Sequence, residues 1–247
     1  MARRARGPGR ERVRVPSAPG AVSERPYYTD AELESIAIHE LGRVGLLPTS
    51  PEAIRIERFV EKRFNLASVR YESLPPGVLG YTHFGPSGVE SIIVARQLSE
   101  ERSRVAERRI NTTLAHEAGH GLLHARLFAL DRFPDLLFQD GLDVTPTRIL
   151  CRDDLDPGEQ RRAYDGRWWE YQANRMIGAL LIPRTLVHAA LESLQVPTGH
   201  LGLPTLPTER RRDAAQRLSD IFDVNLAVAA IRVQRLFGSA EASQLTL

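Results

Sequence analysis

Two histidines and a glutamate stand at a spacing that suits a metal ion with a base beside it. Residues 113–120 read T-L-A-H-E-A-G-H, so the pattern H-E-x-x-H lies inside a run with the apolar periodicity of a helix. Histidines four residues apart share one helix face, and His116 and His120 can therefore both reach one Zn²⁺ at about 2.0–2.1 Å. Glu117, the next residue, can take a proton from water that the ion activates. The segment predicts a hydrolytic zinc site.

A catalytic zinc normally has three protein ligands, so a third must come from elsewhere in the chain. The extended metzincin pattern is excluded because Arg126 stands where its third histidine belongs and Leu123 stands where it needs glycine. His124 shares a face with His120 but lies a full turn beyond a metal held by the first pair. Packing, or a hydrogen bond to a ligand, is the alternative role for His124.

A later segment supplies a better third ligand. Residues 168–183 read W-W-E-Y-Q-A-N-R-M-I-G-A-L-L-I-P, which places Glu170 on a second helix. Asn174 follows one helical turn after Glu170. We expect Glu170 to complete the metal site and Asn174 to hydrogen-bond the far ring nitrogen of a ligand histidine, which fixes the tautomer of that histidine.

Hydrolysis of a peptide bond also needs a group that stabilises the oxyanion of the transition state. Tyr81, His83 and Tyr164 have suitable side chains. Only the tertiary structure can choose among them, since they are far from the histidines in the chain.

The two informative segments resemble the ImmA/IrrE family of metallopeptidases. Residues 113–124, T-L-A-H-E-A-G-H-G-L-L-H, are similar to the family's F-T-x-A-H-E-x-G-H-x-x-x-H, and residues 170–183 are similar to its E-x-x-A-N-x-F-A-x-x-L-L-M-P. The resemblance extends over about residues 30–190. Thr112 in place of Phe, and Met176-Ile177 in place of Phe-Ala, depart from the family pattern at packing positions.

This resemblance implies a gluzincin site with a zinc cofactor, in which His116, His120 and Glu170 bind the metal and Glu117 is the base. Family members commonly cleave or otherwise inactivate a helix-turn-helix repressor, so a protein substrate of that kind is implied. Two alternatives stay open: a non-catalytic metal-binding transcriptional regulator, and a DNA-binding module with a vestigial peptidase domain. The DNA-binding alternative needs basic contacts from residues 208–240 or from an arginine-rich N-terminal tail.

Composition and charge place the chain among ordinary folded proteins. Its 247 residues are 42% hydrophobic and 26% charged, which is enough to bury one sizeable core. The single cysteine, Cys151, excludes an intrachain disulfide and a cysteine metal cluster. Because the sequence lacks both a long apolar span and a secretory signal, we expect a cytoplasmic protein with no membrane partner.

Net charge and the Pro- and Gly-rich stretches divide the chain into three parts. Residues 1–26 carry seven Arg and two Glu, a net charge of +5, so the remainder carries −3 of the total of +2. We expect a disordered tail over 1–26, a zincin-like metallopeptidase domain over 27–203, and a helical, helix-turn-helix-like or capping segment over 204–247. Arg232 and Arg235 are the basic residues on the last helix of that segment.

The predicted fold class is α+β, mainly helical, with a small antiparallel sheet before the H-E-x-x-H helix. Helices are expected from Thr29-Asp30 to before Pro48, from Ser50-Pro51-Glu52 to about Phe64, from Ser99 to about Phe128, at about 167–181, from Pro183 or Arg184, and at about 208–220 and 225–237. The strands fall between Leu66 and Arg96. Residues 129–166 read as a long connection, and residues 198–207 as a Pro- and Gly-rich linker.

Overall fold

A computed structural model describes residues 27–125, 148–152, 168–198 and 203–238, and the predicted N-terminal tail lies outside these ranges. The mixed α+β class is confirmed. No helix in the described ranges is long and apolar enough to cross a membrane. The elements are α1 (Asp30–Arg43), α2 (Ile56–Phe64), β1 (Arg70–Glu72), β2 (Val78–Gly85), β3 (Gly88–Ala95), α3 (Arg96–Glu100), α4 (Arg104–Leu123), β4 (Arg148–Arg152), α5 (Trp168–Leu181), α6 (Arg184–Ala190), β5 (Val196–Thr198), β6 (Leu203–Thr205), α7 (Arg211–Phe222) and α8 (Leu226–Phe237).

The main sheet has the strand order β1-β3-β2-β4. β2 pairs antiparallel with both β3 and β4, whereas β1 pairs parallel with β3. The prediction of a wholly antiparallel sheet is therefore wrong at β1. The reason is that β3 folds back from β2 and inserts between β2 and β1, and turn residues do not specify pairing between strands that are distant in sequence. β4 joins the sheet from the long connection that follows α4, so the sheet does not lie wholly before the H-E-x-x-H helix.

The first two helices begin and end by different local rules. Thr29 caps α1 as predicted, in a capping box with Glu32. The prediction that α2 begins near Pro51 is wrong, because Ile54 and Ile56 are both buried and the chain stays non-helical up to residue 55. α2 ends as predicted, at Asn65 in the left-handed region with φ of 56°.

The long helix predicted from Ser99 is two helices. α3 ends before Arg102, which has φ of 50°, and the Ser103 hydroxyl then accepts a hydrogen bond from the Ala106 N–H at 3.0 Å to start α4. α4 ends at Leu123, five residues before the predicted end. The apolar periodicity continues through the break because it reports a buried face and not the backbone hydrogen bonds.

α4 is the element around which the core is built. α4 packs against β2 and β3 and also against α5, which in turn contacts α1 and α8. Most of α4 is buried. A helix in this position places its polar residues inside the protein, where each needs a partner or a function.

The C-terminal helices occur as predicted, and β6, which lies within the segment predicted to be a linker, pairs antiparallel with β5 at the start of that segment. Arg232 of α8 is 5% exposed and donates to the Ile182 carbonyl at 2.8 and 3.0 Å and to Glu34 at 2.5 Å. It is thus not available to a nucleic-acid phosphate. Other arginines in this segment likewise donate to carbonyls at helix ends: Arg217 to Ala190 and Arg211 to Phe237.

A carboxylate in the turn between α7 and α8 holds two arginines of α4. Asp223 Oδ1 lies 2.9 Å from Nε of Arg104 and 2.9 Å from Nε of Arg108. Burial raises the pKa of Asp223, but the hydrogen bonds from Arg108 and Arg104 outweigh it, so the pKa is lowered. Asp223 therefore stabilises the fold above the pKa of the unfolded chain, and this contribution is lost as the pH falls through the lowered value.

Asp223 has a left-handed backbone with φ of 49°. We expect Asp223→Asn to lower the free energy of unfolding by about 1 kcal/mol at pH 7, because asparagine tolerates this backbone but loses both ion pairs. Urea unfolding at several pH values measures the difference from wild type. It should shrink below about pH 4, where aspartate in the unfolded chain takes up a proton. Asp220→Asn is the matched control, since Asp220 is 58% exposed and lies 3.9 Å from Arg108. An equal loss in both variants would contradict the assignment.

Candidate metal centre

Close packing around two glycines brings three elements to one point. A Cβ on Gly80 of β2 would lie 2.7 Å from the Thr113 side chain, so glycine lets β2 approach α4. A Cβ on Gly119 of α4 would lie 3.1 Å from Cα of Ala173 and 3.0 Å from Cβ of Met176, both on α5. The small residues at these contacts allow α5 to present its first turn to the histidines of α4.

His116, His120 and Glu170 converge there as a triangle of potential ligand atoms. The two Nε2 atoms are 2.9 Å apart, and the Glu170 oxygens lie 3.1 Å from His116 Nε2 and 3.5 Å from His120 Nε2. Ligand atoms bound tetrahedrally at about 2.0–2.1 Å from one zinc are about 3.3 Å apart, so these spacings match one metal ion. The histidines are buried, and Glu170 is 20% exposed.

The far nitrogen of each histidine also has a partner. His116 Nδ1 lies 3.1 Å from Oδ1 of Asn174, which is the contact that the sequence suggested for Asn174. Nδ1 of His116 then donates, and its Nε2 carries the lone pair that a metal needs. His120 Nδ1 lies 3.1 Å from Nδ1 of His124, so His124 contacts a proposed ligand from behind and is not in the triangle.

The electrostatics of the triangle favour a negative carboxylate among imidazoles. Burial raises the pKa of Glu170. The contacts with His120 and His116 lower it by more than burial raises it, so the pKa of Glu170 is below the ordinary value. Burial lowers the pKa of His116, yet the contact with Glu170 outweighs burial and raises it. Burial lowers the pKa of His120. A divalent cation in this position would take the place of the proton that these groups share.

Glu117 is buried beside the triangle and is held by one oxygen. The Thr82 hydroxyl on β2 donates to its Oε2 at 2.6 Å, while Oε1 has no hydrogen-bond partner in the described residues. Burial raises the pKa of Glu117 to about 8, against the opposing effects of His116 and Thr82. A buried carboxylate oxygen without a partner is costly, and a water molecule bound there would supply the missing hydrogen bond.

Thr82 was not among the residues predicted for the site. Its place within the β-prone run of β2 predicts a strand residue, but its partner on α4 is 35 residues away in sequence. Successive strand residues point to opposite faces, so Tyr81 and His83 do not share the Thr82 face that meets Glu117. His83 instead lies 3.3 Å from Glu90 on the neighbouring strand, and Tyr164 falls outside the described residues.

The residues present fit a zinc ion by chemistry as well as by distance. Two neutral imidazole nitrogens and one carboxylate are ligands that zinc accepts, and three protein ligands leave a fourth position open. Glu117 lies beside the triangle, and its Oε1 has no hydrogen-bond partner among the described residues.

A search against protein-family models and a search of curated proteins each found no match to this chain.

Proposed function

We propose that this protein is a zinc-dependent metallopeptidase with a zincin-like domain, in which His116, His120 and Glu170 bind the metal and Glu117 is the general base. One observation carries the proposal. Two imidazole nitrogens and a carboxylate lie 2.9 to 3.5 Å apart in a buried setting, with an unpartnered carboxylate oxygen beside them. Nitrogens 2.9 Å apart need a hydrogen or a cation between them, and a metal ion bound by both imidazoles meets that need.

A zinc ion held by these residues would polarise the substrate carbonyl and lower the pKa of bound water toward about 7. Glu117 Oε1 would accept the proton of the hydrolytic water and return it to the amine of the departing peptide. The Thr82 hydroxyl holds the other oxygen of Glu117, so that the carboxylate keeps one orientation. Thr82 is thus a positioning residue for the base.

The open ligand position favours catalysis over a purely structural metal. Structural zinc sites are normally closed by four protein ligands, whereas three protein ligands with water at the fourth position and a carboxylate nearby are typical of hydrolases. The alternative of a non-catalytic regulator needs the metal but not the free oxygen of Glu117. The DNA-binding alternative is less supported, because Arg232 of α8 is occupied within the protein.

The resemblance to the ImmA/IrrE family supports the same assignment and extends it to the substrate. Of the four residues that the resemblance carries over, His116, His120 and Glu170 form the triangle, and Glu117 lies beside it. A helix-turn-helix repressor is the substrate that the resemblance implies. We include it in the proposal as the substrate class to test once metal binding is established.

The metal content of the purified protein tests the proposal. Elemental analysis should find close to one zinc per chain in wild type, and both His116→Ala and Glu170→Ala should lose it because each removes one of three ligands. His39→Ala and Glu100→Ala are matched controls, since both residues are exposed and far from the triangle in sequence. Zinc retained in Glu170→Ala would show that the third ligand is wrong, and a wild type without metal would refute the proposal.

A further inference from the structure

Behind the metal centre, a chain of three buried side chains runs from α4 to α5. His120 Nδ1 lies 3.1 Å from His124 Nδ1, and His124 Nε2 lies 3.0 Å from Oε1 of Gln172. His120 and His124 are fully buried, and Gln172 is 5% exposed. The Trp168 ring packs edge-on against His124 with the ring centres 5.5 Å apart, which restricts the imidazole further.

We propose that Gln172 and His124 are positioning residues that hold His120 in the tautomer able to bind a metal. This inference rests on the proposed metal site but not on peptidase activity. It assigns a role to Gln172, which is not one of the three proposed metal ligands.

The hydrogen positions in this chain are linked, so that the orientation of one amide decides all of them. If Gln172 Oε1 accepts, His124 carries its hydrogen on Nε2, and the bare Nδ1 of His124 accepts from Nδ1–H of His120. The Nε2 of His120 then has a free lone pair directed at the metal position. If the Gln172 amide were reversed and donated instead, the same chain would end with a hydrogen on His120 Nε2, which excludes a metal.

Burial is what makes the chain necessary. A ligand histidine at the surface can leave its far nitrogen to water, but His120 has no exposed surface and must find its partner inside the protein. His116 uses one exposed side chain, Asn174, for the same purpose. Asn174 therefore fixes the tautomer of His116, whereas His124 and Gln172 fix the tautomer of His120. A change at Gln172 should alter the tautomer of His120 alone.

Zinc affinity and histidine tautomers test the role of Gln172. We expect Gln172→Leu to weaken zinc binding on the order of 10–100-fold in a chelator competition, because the acceptor that fixes the chain is lost. Gln172→Glu keeps an acceptor at the same position and should stay within a few-fold of wild type. Cobalt-substituted protein provides a second measurement, since its visible absorption bands should change in Gln172→Leu and not in Gln172→Glu.

Thr112→Val is the matched control for general damage to α4. The Thr112 hydroxyl is buried and donates to the Arg108 carbonyl at 2.8 Å, so the variant loses a buried hydrogen bond of α4 without touching the histidine chain. It should bind zinc like wild type. If Thr112→Val and Gln172→Leu weaken zinc binding equally, the effect is a loss of packing and the proposed role is wrong.

Long-range proton–nitrogen NMR spectra of the wild type give the tautomers directly. We expect the hydrogen on Nδ1 of His116 and His120, and on Nε2 of His124. A hydrogen on Nδ1 of His124, or wild-type affinity in Gln172→Leu, would overturn the inference. A protein that binds zinc with these tautomers but cleaves no peptide would leave the inference intact and refute the peptidase, whereas a wild type that binds no zinc would overturn both.

Discussion

Glu117→Gln should abolish hydrolysis while the protein keeps its zinc. The amide has nearly the shape of the carboxylate and can still accept from the Thr82 hydroxyl, but it cannot accept the proton of the hydrolytic water. We expect the rate to fall about 10²–10⁴-fold, which is the usual contribution of a general base. The measurement is hydrolysis of a mixed library of quenched fluorescent peptides by zinc-loaded protein, with the zinc content of each preparation determined in parallel.

Glu107→Gln is the matched control, because Glu107 lies on α4 as well but is exposed and far from the histidines. It should cleave like wild type. If Glu117→Gln kept both its zinc and wild-type hydrolysis, Glu117 would not be the base. If instead it lost zinc, the loss of activity would report the metal and not the proton transfer. If wild-type protein holds zinc but cleaves neither the peptides of the library nor a repressor protein, the non-catalytic regulator is favoured.

Gly119→Val should lower both the stability of the protein and its affinity for zinc. The Cβ position at Gly119 is already 3.0 Å from Met176 Cβ and 3.1 Å from Ala173 Cα, and neither atom can move without the backbone of α5. Two further methyl groups force α4 and α5 apart, which we expect to lower the free energy of unfolding by about 2 kcal/mol. Glu170 lies one turn before Ala173, so the same separation withdraws it from the imidazoles. Zinc affinity should fall on the order of 10–100-fold.

Gly42→Ala controls for the general effect of removing a helical glycine. Nothing lies within 4 Å of a Cβ at Gly42 on α1, and the variant should gain up to about 1 kcal/mol from helix propensity. Urea unfolding and zinc titration measure both variants, with Gly119→Ala as a milder change at the same contact. Wild-type zinc affinity in Gly119→Val would show that the close approach of α4 and α5 does not position Glu170.

Short-range patterns account for the parts of the fold that were predicted well. The Thr29 cap, the Asn65 stop and the helix before Pro183 depend on neighbours within four residues, so the sequence alone contains the relevant interactions. The start of α2 and the break between α3 and α4 were predicted wrongly. At both places the backbone is determined by burial or by a single positive φ at Arg102, which periodicity does not report.

Sequence patterns also failed to predict how the strands of the sheet pair. Alternation and turn residues predicted the strands, but the parallel partner of β1 and the arrival of β4 depend on pairings between strands that are not consecutive. The same holds for the short pair of β5 and β6, of which β6 lies in the predicted linker. Such pairings are selected by the global packing and not by the turns.

For the proposed metal centre, the sequence by itself determined the residue types and the spacing of His116, Glu117 and His120, because a helix places residues i and i+4 on one face. It also singled out Glu170 and Asn174 on a second helix. Only the tertiary structure decided that these two helices approach closely enough to bring the carboxylate within 3.5 Å of both imidazoles.

The tertiary structure alone decided the partners of these groups. Thr82 holds Glu117 across 35 residues of sequence, and Gln172 reaches His124 across 48. The reason is physical. Buried polar atoms must be satisfied by whatever side chain the packing brings near, and that neighbour has no fixed distance along the chain.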